Sequence, residues 1–493
     1  MKKKQGMKNI FSSIRKTEKY MTEHLGIGVS FDVDFREISI LKTDIQIYYV
    51  NGLINDLVIT QLMSKLVSIN DDETDRKKVA EIIKNRLVHE QVDVTKTLDE
   101  AVDQMLSGLI VLFIDGHPFA YIIDVREYPG REPEEPDTER VIRGARDGYT
   151  ENIVQNVGLT RRRIRDERLR NEMLRVGERS KTDVCLSYLK DVADDDIVEM
   201  TKERLKKIEI DGIPMSDKTI EEFIVEQKWS AFPLVRYTER PDVASEQLLD
   251  GHILLTVDTS PSVISLPATF FDHLRHAEES RQSPAVGTFI RIIRLIAFFL
   301  SVFLLPLWLL FAMDPELLPK ELSFIGPNEE GNIPIILQII MADIGVELIR
   351  MAAIHTPTPL ATALGLVAAI LIGEIAVDVG MFSPEVVLYV AISAIGGYVT
   401  PSYELSVANK IMKLYLLLMT AFFGVNGFMI AFTTSVLYLA QIKALKTPYL
   451  WPFIPFNARA FLRFILRVPI PFVNSRPDIV HPKNEYRQPI SKQ

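Results

Sequence analysis

The chain has 493 residues, of which 47% are apolar and 25% charged, and its formal net charge is −9. That length allows about three domains, while the single cysteine, Cys185, excludes a disulfide framework or a cysteine-based metal site. The eight histidines form no HxxxH or HExxH pair, and no nucleotide-binding loop, zinc signature or Ser/His/Asp arrangement is found; no enzyme activity, metal or cofactor is expected.

Residues 1–29 begin MKKKQGMKNIFSSIRKTEKY, which is basic but lacks the apolar core of a signal peptide. The soluble part is therefore expected to stay on the cytoplasmic side. Two distant stretches then echo each other. KTDIQIYYVNGLIND, from Lys42, aligns without gaps on KTDVCLSYLKDVADD, from Lys181, setting Ile45 on Val184, Ile47 on Leu186 and Tyr49 on Tyr188. LSGLIVLFIDGHP, from Leu106, matches LDGHILLTVDTSP, from Leu249, at almost the same offset. Two colinear matches predict an internal duplication, each copy reading strand, helix, helix, strand, strand. TDIQIYYV alternates as a strand does, LVITQLMSKL and IVEMTKERLKKI have helical spacing, and GLIVLFIDG with HPFAYIIDV reads as a hairpin around Asp115-Gly116. The two α/β subdomains are placed at 30–130 and 181–285. Cys185 reads as a small buried hydrophobe.

A helical, basic connector is expected over 131–180. Twelve Lys/Arg fall from Arg140 to Lys181 against six acids. Acids interleave at helical spacing and stacking aromatics are missing, so a salt-bridged helix is expected in preference to nucleic-acid binding.

From residue 286 to 445 the composition changes to that of a membrane domain. Residues 295–313, 356–373, 386–403 and 414–442 carry no charge until Glu374 and Lys443, and about 18 such residues suffice to cross a bilayer. Four spans are expected near 292–313, 357–377, 386–405 and 414–440. The segment 333–354 differs, because Asp343, Glu347 and Arg350 share one helical face, and it is expected to be re-entrant or interfacial. Arg291 and Arg294 precede the first span. The loop 314–332 holds five acids and one lysine, and nine Lys/Arg with two acids follow the last span. Both ends are thus expected inside, with an even number of crossings and a basic cytoplasmic tail at 446–493. A competing solution keeps 333–354 as a span and breaks 414–442 into a hairpin at Gly424-Val-Asn-Gly427.

Intramembrane ionisable residues are candidates for function. Glu374 and Asp378 follow a helix rich in small residues. Around an oligomer axis Glu374 would form a carboxylate ring lining a cation path; at a membrane end it would simply be solvated. Asp343, Glu347 and Arg350 are candidates for the same path, or else an internally paired patch.

Three phrases, RVIRGARDGYTENIVQNVGLTRRRI, PTPLATALGLVAAILIGEIAVDVGMFSPEVVLYVAISAIGGYVTPSYELS and TPYLWPFIPF, resemble the GerA family of spore germinant receptor A-subunits. The resemblance runs from about residue 40 to 470. It implies a polytopic protein of the spore inner membrane, assembled with other germination subunits into oligomeric, pentameric channels that release monovalent cations. The family's connector motif falls on Arg143, Gly144, Asp147, Gly148, Glu151, Asn156, Arg161, Arg162 and Arg163. Its membrane motif falls on Gly373, Glu374, Ala376, Ser383, Pro384 and Pro401. A phrase of the form E-x-x-REA-x-x-R-x-P reads ELIRMAAIHTP here, so the later arginine is His355.

The fold class expected is an α/β region of two duplicated subdomains with a helical connector, followed by an all-α polytopic membrane domain. The expected function is an oligomeric germination channel or receptor subunit. A non-conducting ligand-sensing scaffold, its two lobes closing on a small molecule, is the alternative. A secondary transporter is disfavoured by the absence of an inverted repeat.

Overall fold

The computed structural model describes residues 8–72, 79–86, 92–127, 139, 141–327, 332–355, 365 and 373–488. The expected span at 357–377 therefore lies, apart from its last residues, outside the described residues.

The N-terminal half holds two five-stranded antiparallel sheets. The first is built from β1 (Val33–Ile40), β2 (Thr43–Val50), β3 (Val92–Thr95), β4 (Ile110–Ile114) and β5 (Ala120–Ile123), in the order β1-β2-β4-β5-β3. The second uses β6 (Leu169–Val176), β7 (Thr182–Leu189), β8 (Arg236–Thr238), β9 (Ile253–Val257) and β10 (Val263–Leu266), in the order β6-β7-β9-β10-β8. Ile45 pairs with Ile114 as Val184 pairs with Val257, and Ile47 with Leu112 as Leu186 with Leu255.

Helices interleave with the strands in the same sequence. The first unit has α1 (Ile14–Leu25), α2 (Asp56–Val67), α3 (Ile69–Asp72), α4 (Val79–Arg86) and α5 (Leu98–Leu106). The second has α6 (Ile153–Arg163), α7 (Asp195–Lys206), α8 (Ser216–Val225), α9 (Pro241–Asp250) and the short α10 (Ala277–Arg281). Local chemistry sets their ends. The Asn55 side chain accepts from the Leu57 and Val58 N–H groups to start α2, and Asp194 accepts from Asp196 to start α7. Gly251 takes a positive φ of 110° to end α9, a conformation that favours glycine.

The start of each unit differs from the sequence expectation. Residues 1–29 include the amphipathic helix α1, whose first N–H, at Ile14, donates to Asp115 Oδ1 at 2.9 Å. Among the described residues of the expected connector only Ile153–Arg163 is helical, and its first N–H, at Ile153, donates to Asp258 Oδ1 at 3.3 Å. Asp115 and Asp258 are the matched aspartates of the two sequence blocks. The former connector helix is thus the counterpart of α1, and Leu169–Val176, read as helical, is the first strand of the second sheet. The reason is burial: Leu169 and Val176 are covered in a sheet that pairs with β7, and tertiary pairing overrides the weak helical bias of Arg and Glu. The start of the expected connector, at 131–138, lies outside the described residues.

Alternate residues of β2 face opposite layers. Ile45 and Ile47 pack on α2 and α4, whereas Tyr48 and Val50 pack on α1 and α5. Second-sheet residues Val184 and Leu186 pack on α7 and α8, and that cluster continues into the C-terminal helices through Phe270, Phe298, Val302, Leu405 and Ala408.

The C-terminal part is helical: α11 (Pro284–Met313), α12 (Ile335–His355), a single turn α13 (Ala376–Asp378), α14 (Pro384–Tyr398), α15 (Tyr403–Gln441) and α16 (Ala458–Ile465). Among the described residues α11 and α15 are long and apolar enough to cross a membrane. The approach of α14 to α11 needs Gly396, where a Cβ would collide with the Ala297 carbonyl. Residue Gly424, inside α15, is non-helical (φ 58°, ψ −137°). Beyond it the chain folds back. The Tyr415 hydroxyl lies 3.0 Å from Thr434 Oγ1, although 19 residues of straight helix would separate them by about 28 Å. A Cβ on Gly427 would collide with the Met419 carbonyl, so that glycine permits the close return. The segment expected as one span at 414–440 is thus two antiparallel arms. Glu404 at the start of α15 pairs with Lys218, and Tyr438 near its end stacks obliquely on Phe232, so both ends reach the second α/β unit.

The expected basic tail is a belt on that unit. Arg476 donates to the Leu249 carbonyl at 2.7 Å, Arg487 pairs with Asp250 at 3.1 Å, and Lys483 pairs with Asp195.

Candidate functional site

Within the helical region five charged side chains meet. Asp343 and Glu347 are one turn apart on α12, and Lys410 and Lys413 are one turn apart on α15, so opposite charges meet face to face. Lys413 Nζ, on a side chain only 2% exposed, lies 2.6 Å from Asp343 Oδ1. Lys410 pairs with Glu347. Arg350 is 3.8 Å from Glu347, and its guanidinium sits 4.7 Å from the Tyr403 ring centre and 5.4 Å from that of Tyr398.

Beside the pairs is a polar cavity of about 10 Å³, lined by Ser301, Ser393, Ser406 and Asn409 with Asp343, Glu347, Lys410 and Lys413. That is near the lower limit for one water. Asn409 is buried, and its amide nitrogen and oxygen lack hydrogen-bond partners among the described residues. Lys413 Nζ also approaches Ser393 Oγ at 3.5 Å. Two carboxylates against three cations leave the cluster net positive, a poor resting place for a cation.

The expected candidates thus divide. Asp343, Glu347 and Arg350 come together and are ion-paired. Glu374 and Asp378 are not in that cluster; both are exposed, next to exposed Ile375 and Val379. Sequence reasoning missed Lys410, Lys413 and Asn409, because the apolar run was begun at Leu414. Lysines three apart, facing acids four apart on another helix, were the available signal.

Membrane-motif residues act at chain turns. The Ser383 hydroxyl accepts from the Val386 N–H at 3.4 Å to cap α14, its own N–H donates to Gln338 Oε1 at 2.8 Å, and Pro384 occupies the first helical turn. Pro401 sits between α14 and α15, and Gly373 is exposed.

The connector motif is spent largely within the chain. Arg161 Nε donates to Asp32 Oδ2 at 2.9 Å, and both side chains are 1% exposed. Asn171 Nδ2 joins the same oxygen at 3.0 Å, and the Phe31 N–H donates to the Asn171 carbonyl at 2.9 Å. This node ties the first unit to the second. Arg163 pairs with Asp147 at 2.6 Å, and the buried Asn156 accepts from the Thr150 N–H at 2.7 Å. Gly148 is buried, the Glu151 carbonyl accepts from the Thr259 N–H, and a Cβ on Gly144 would collide with the Arg281 guanidinium. Arg143 and Arg162 are exposed. The guanidiniums of Arg168 and Arg170 are held by Asp166, Asp191 and the Glu167 carbonyl. Burial pushes the Cys185 thiol far above its ordinary range, leaving it neutral and inert.

The family model described as Bacillus/Clostridium GerA spore germination protein matches residues 19–479. This chain belongs to the GerA family. Among GerA relatives, it is 54% identical to Stage V sporulation protein AF of Bacillus subtilis (strain 168), over 98% of each chain. It is 28% identical to Spore germination protein KA of the same organism, over 94% of this chain and 86% of the relative. A crystal structure of the N-terminal domain of the A subunit of the Bacillus megaterium spore germinant receptor GerK3 is 25% identical, covering 53% of this chain and 97% of that one at a TM-score of 0.42.

Proposed function

We propose that this chain is a membrane-spanning subunit of a germination complex in the spore inner membrane, forming an oligomeric, pentameric path for monovalent cations with other germination subunits. GerA membership supports the germination role. What supports a gated path is the ion-paired cluster joining α12 to α15 around the buried Lys413, read here as a latch and not as a cation site, since ionisable groups are costly at membrane depth and by default functional. In the proposed topology α11, α12, the apolar stretch 356–373, α14 and the two arms of α15 cross the membrane. Six crossings keep both termini on the cytoplasmic side. The positions of described residues support that count: Arg350 lies beside Tyr403 at the end near the α/β units, while Ala376 packs with Trp308 and Phe382 at the other end.

In this reading the two α/β units, descended from one duplicated ancestor, form the cytoplasmic platform. The Asp343–Lys413 pair is a latch between α12 and α15, and the exposed Glu374 of neighbouring copies forms the cation-selecting ring, with Asp378 one turn beyond it. The exposed Arg143 is the connector-motif residue placed to contact other subunits. Reconstituted protein should conduct monovalent cations, and wild-type vesicles without conductance, under conditions where a related receptor conducts, would sink the reading. Glu374→Gln should alter the cation-over-anion preference; Asp343→Asn, which leaves Lys413 unpaired, should change the open fraction without altering that preference.

A further inference from the structure

Where the second α/β unit meets the start of α11 and the C-terminal belt there is a cavity of about 310 Å³, within the size range of small-ligand sites. Its wall is dominated by arginine. Arg487, Arg275 and Arg291 are matched by Asp250, Asp272 and Glu279. Four further lining residues, Arg459, Arg463, Arg467 and Arg476, form no ion pair among the described residues. Arg463 uses Nη1 alone, toward Ser475. Arg467 uses Nη2 alone among its side-chain nitrogens, toward the Ser280 carbonyl at 2.7 Å. Each therefore keeps N–H donors for a ligand. Arg459 is exposed at the rim. Two lining acids, Glu246 and Asp478, also have no cationic partner among the described residues, yet the arginines outnumber them.

The same rim is apolar. Leu466 and Ile470 line the cavity and are 44% and 67% exposed, and Phe456, Leu462 and Phe472 nearby are exposed as well. The amphipathic α16 contributes Arg459, Arg463 and Leu462. The cavity also borders Arg291, just before the apolar run of α11 begins at Leu295.

We propose that this cavity binds a phosphate ester group, held by Arg459, Arg463 and Arg467. Guanidinium forks match phosphate oxygens in pairs, which fits arginine rather than lysine at all three positions. Two sources supply that chemistry, an anionic phospholipid headgroup whose chains lie along the apolar rim or a soluble phosphate ester. The proposal stands apart from ion conduction.

The test uses the full chain in neutral detergent, stripped of lipid. Thermal unfolding is followed while phosphatidylglycerol in mixed micelles, or sn-glycerol 3-phosphate, is titrated. Wild type should be stabilised in a saturable way, by both probes if the soluble ester is the ligand and by the lipid alone if the headgroup is. Arg459→Gln/Arg467→Gln should weaken the apparent affinity by roughly tenfold or more, two charge-assisted contacts being lost. Should the double variant not fold, Arg459→Gln alone decides, with an expected loss of several-fold, because that side chain is at the exposed rim. Wild-type affinity in a folded variant, or no saturable response of wild type to either probe, overturns the proposal.

Discussion

The two α/β units have one strand order and one matched register, yet they are embedded differently. The first covers both faces of its sheet with its own helices, α1 and α5 on one side and α2 and α4 on the other. The second covers one face with α6 and α9, while the cluster on its other face runs on through Phe270 and Phe298 into α11 and α15 and into the belt at Tyr449 and Phe464. The same fold is thus a closed module in one place and the base of a helical bundle in the other. What differs is which apolar surface each sheet was left to share. The only fully buried cross-unit charge pair, among the described residues, is Arg161 with Asp32.

That comparison can be broken most severely at the node between the units. Asp32→Ala would leave Arg161 buried without its carboxylate, and should cost about 3–5 kcal/mol; urea unfolding of the full chain should show the first unit separating as its own transition. Next is the shared core. Leu405→Ala and Leu112→Ala each remove a fully buried leucine and should each cost about 2–4 kcal/mol. Hydrogen exchange should distinguish them, with protection falling in β7 and β9 as well as α15 for Leu405→Ala, but only in the first unit for Leu112→Ala.

The belt makes the second unit sensitive to pH. Burial raises the Asp250 carboxyl from 3.8 to about 6, although Arg487 opposes the shift. The folded state therefore binds this proton more tightly than the unfolded chain. Its stabilising contribution is complete below pH about 4 and is lost as pH rises through 6. Asp250→Asn should remove that slope, worth about 3 kcal/mol, which melting curves between pH 4 and 7 would reveal; a slope equal to wild type would refute the assignment. Smallest is Asp147→Ala, which frees the partly exposed Arg163 and should cost about 1 kcal/mol or less, read as a slightly lower melting temperature with the contact between units intact.

Much of this was legible because short-range chemistry carries it. The aligned KTD blocks, the alternation in TDIQIYYV and the turn at Asp115-Gly116 marked strands β2, β4, β5, β7 and β9. The leading strands β1 and β6 were not legible. FREISI and LRNEMLRV mix charge with apolar residues on no clean period, and only pairing with β2 and β7 makes them strands. Of the leading helices, α1 was hidden, and α6 was read as part of a connector and not as the start of the second unit, for a related reason. Their starts are fixed by Asp115 and Asp258, about a hundred residues away along the chain, which no local pattern displays.

In the helical region composition alone marks which stretches are apolar enough to cross a membrane, and the sequence spacing puts Asp343, Glu347 and Arg350 on one face. The sequence also contained the choice between one continuous helix and a broken one, at Gly424 and Gly427. Packing between the two arms makes the break. A positive φ at Gly424 lets the second arm return, and the absence of a side chain on Gly427 lets it pack against Met419. The fate of the α12 charges was likewise settled in three dimensions. Lys410 and Lys413 are some seventy residues from Asp343 and Glu347 in sequence, and they become partners because the packing of α15 near α12 brings the four side chains together and takes Lys413 out of water.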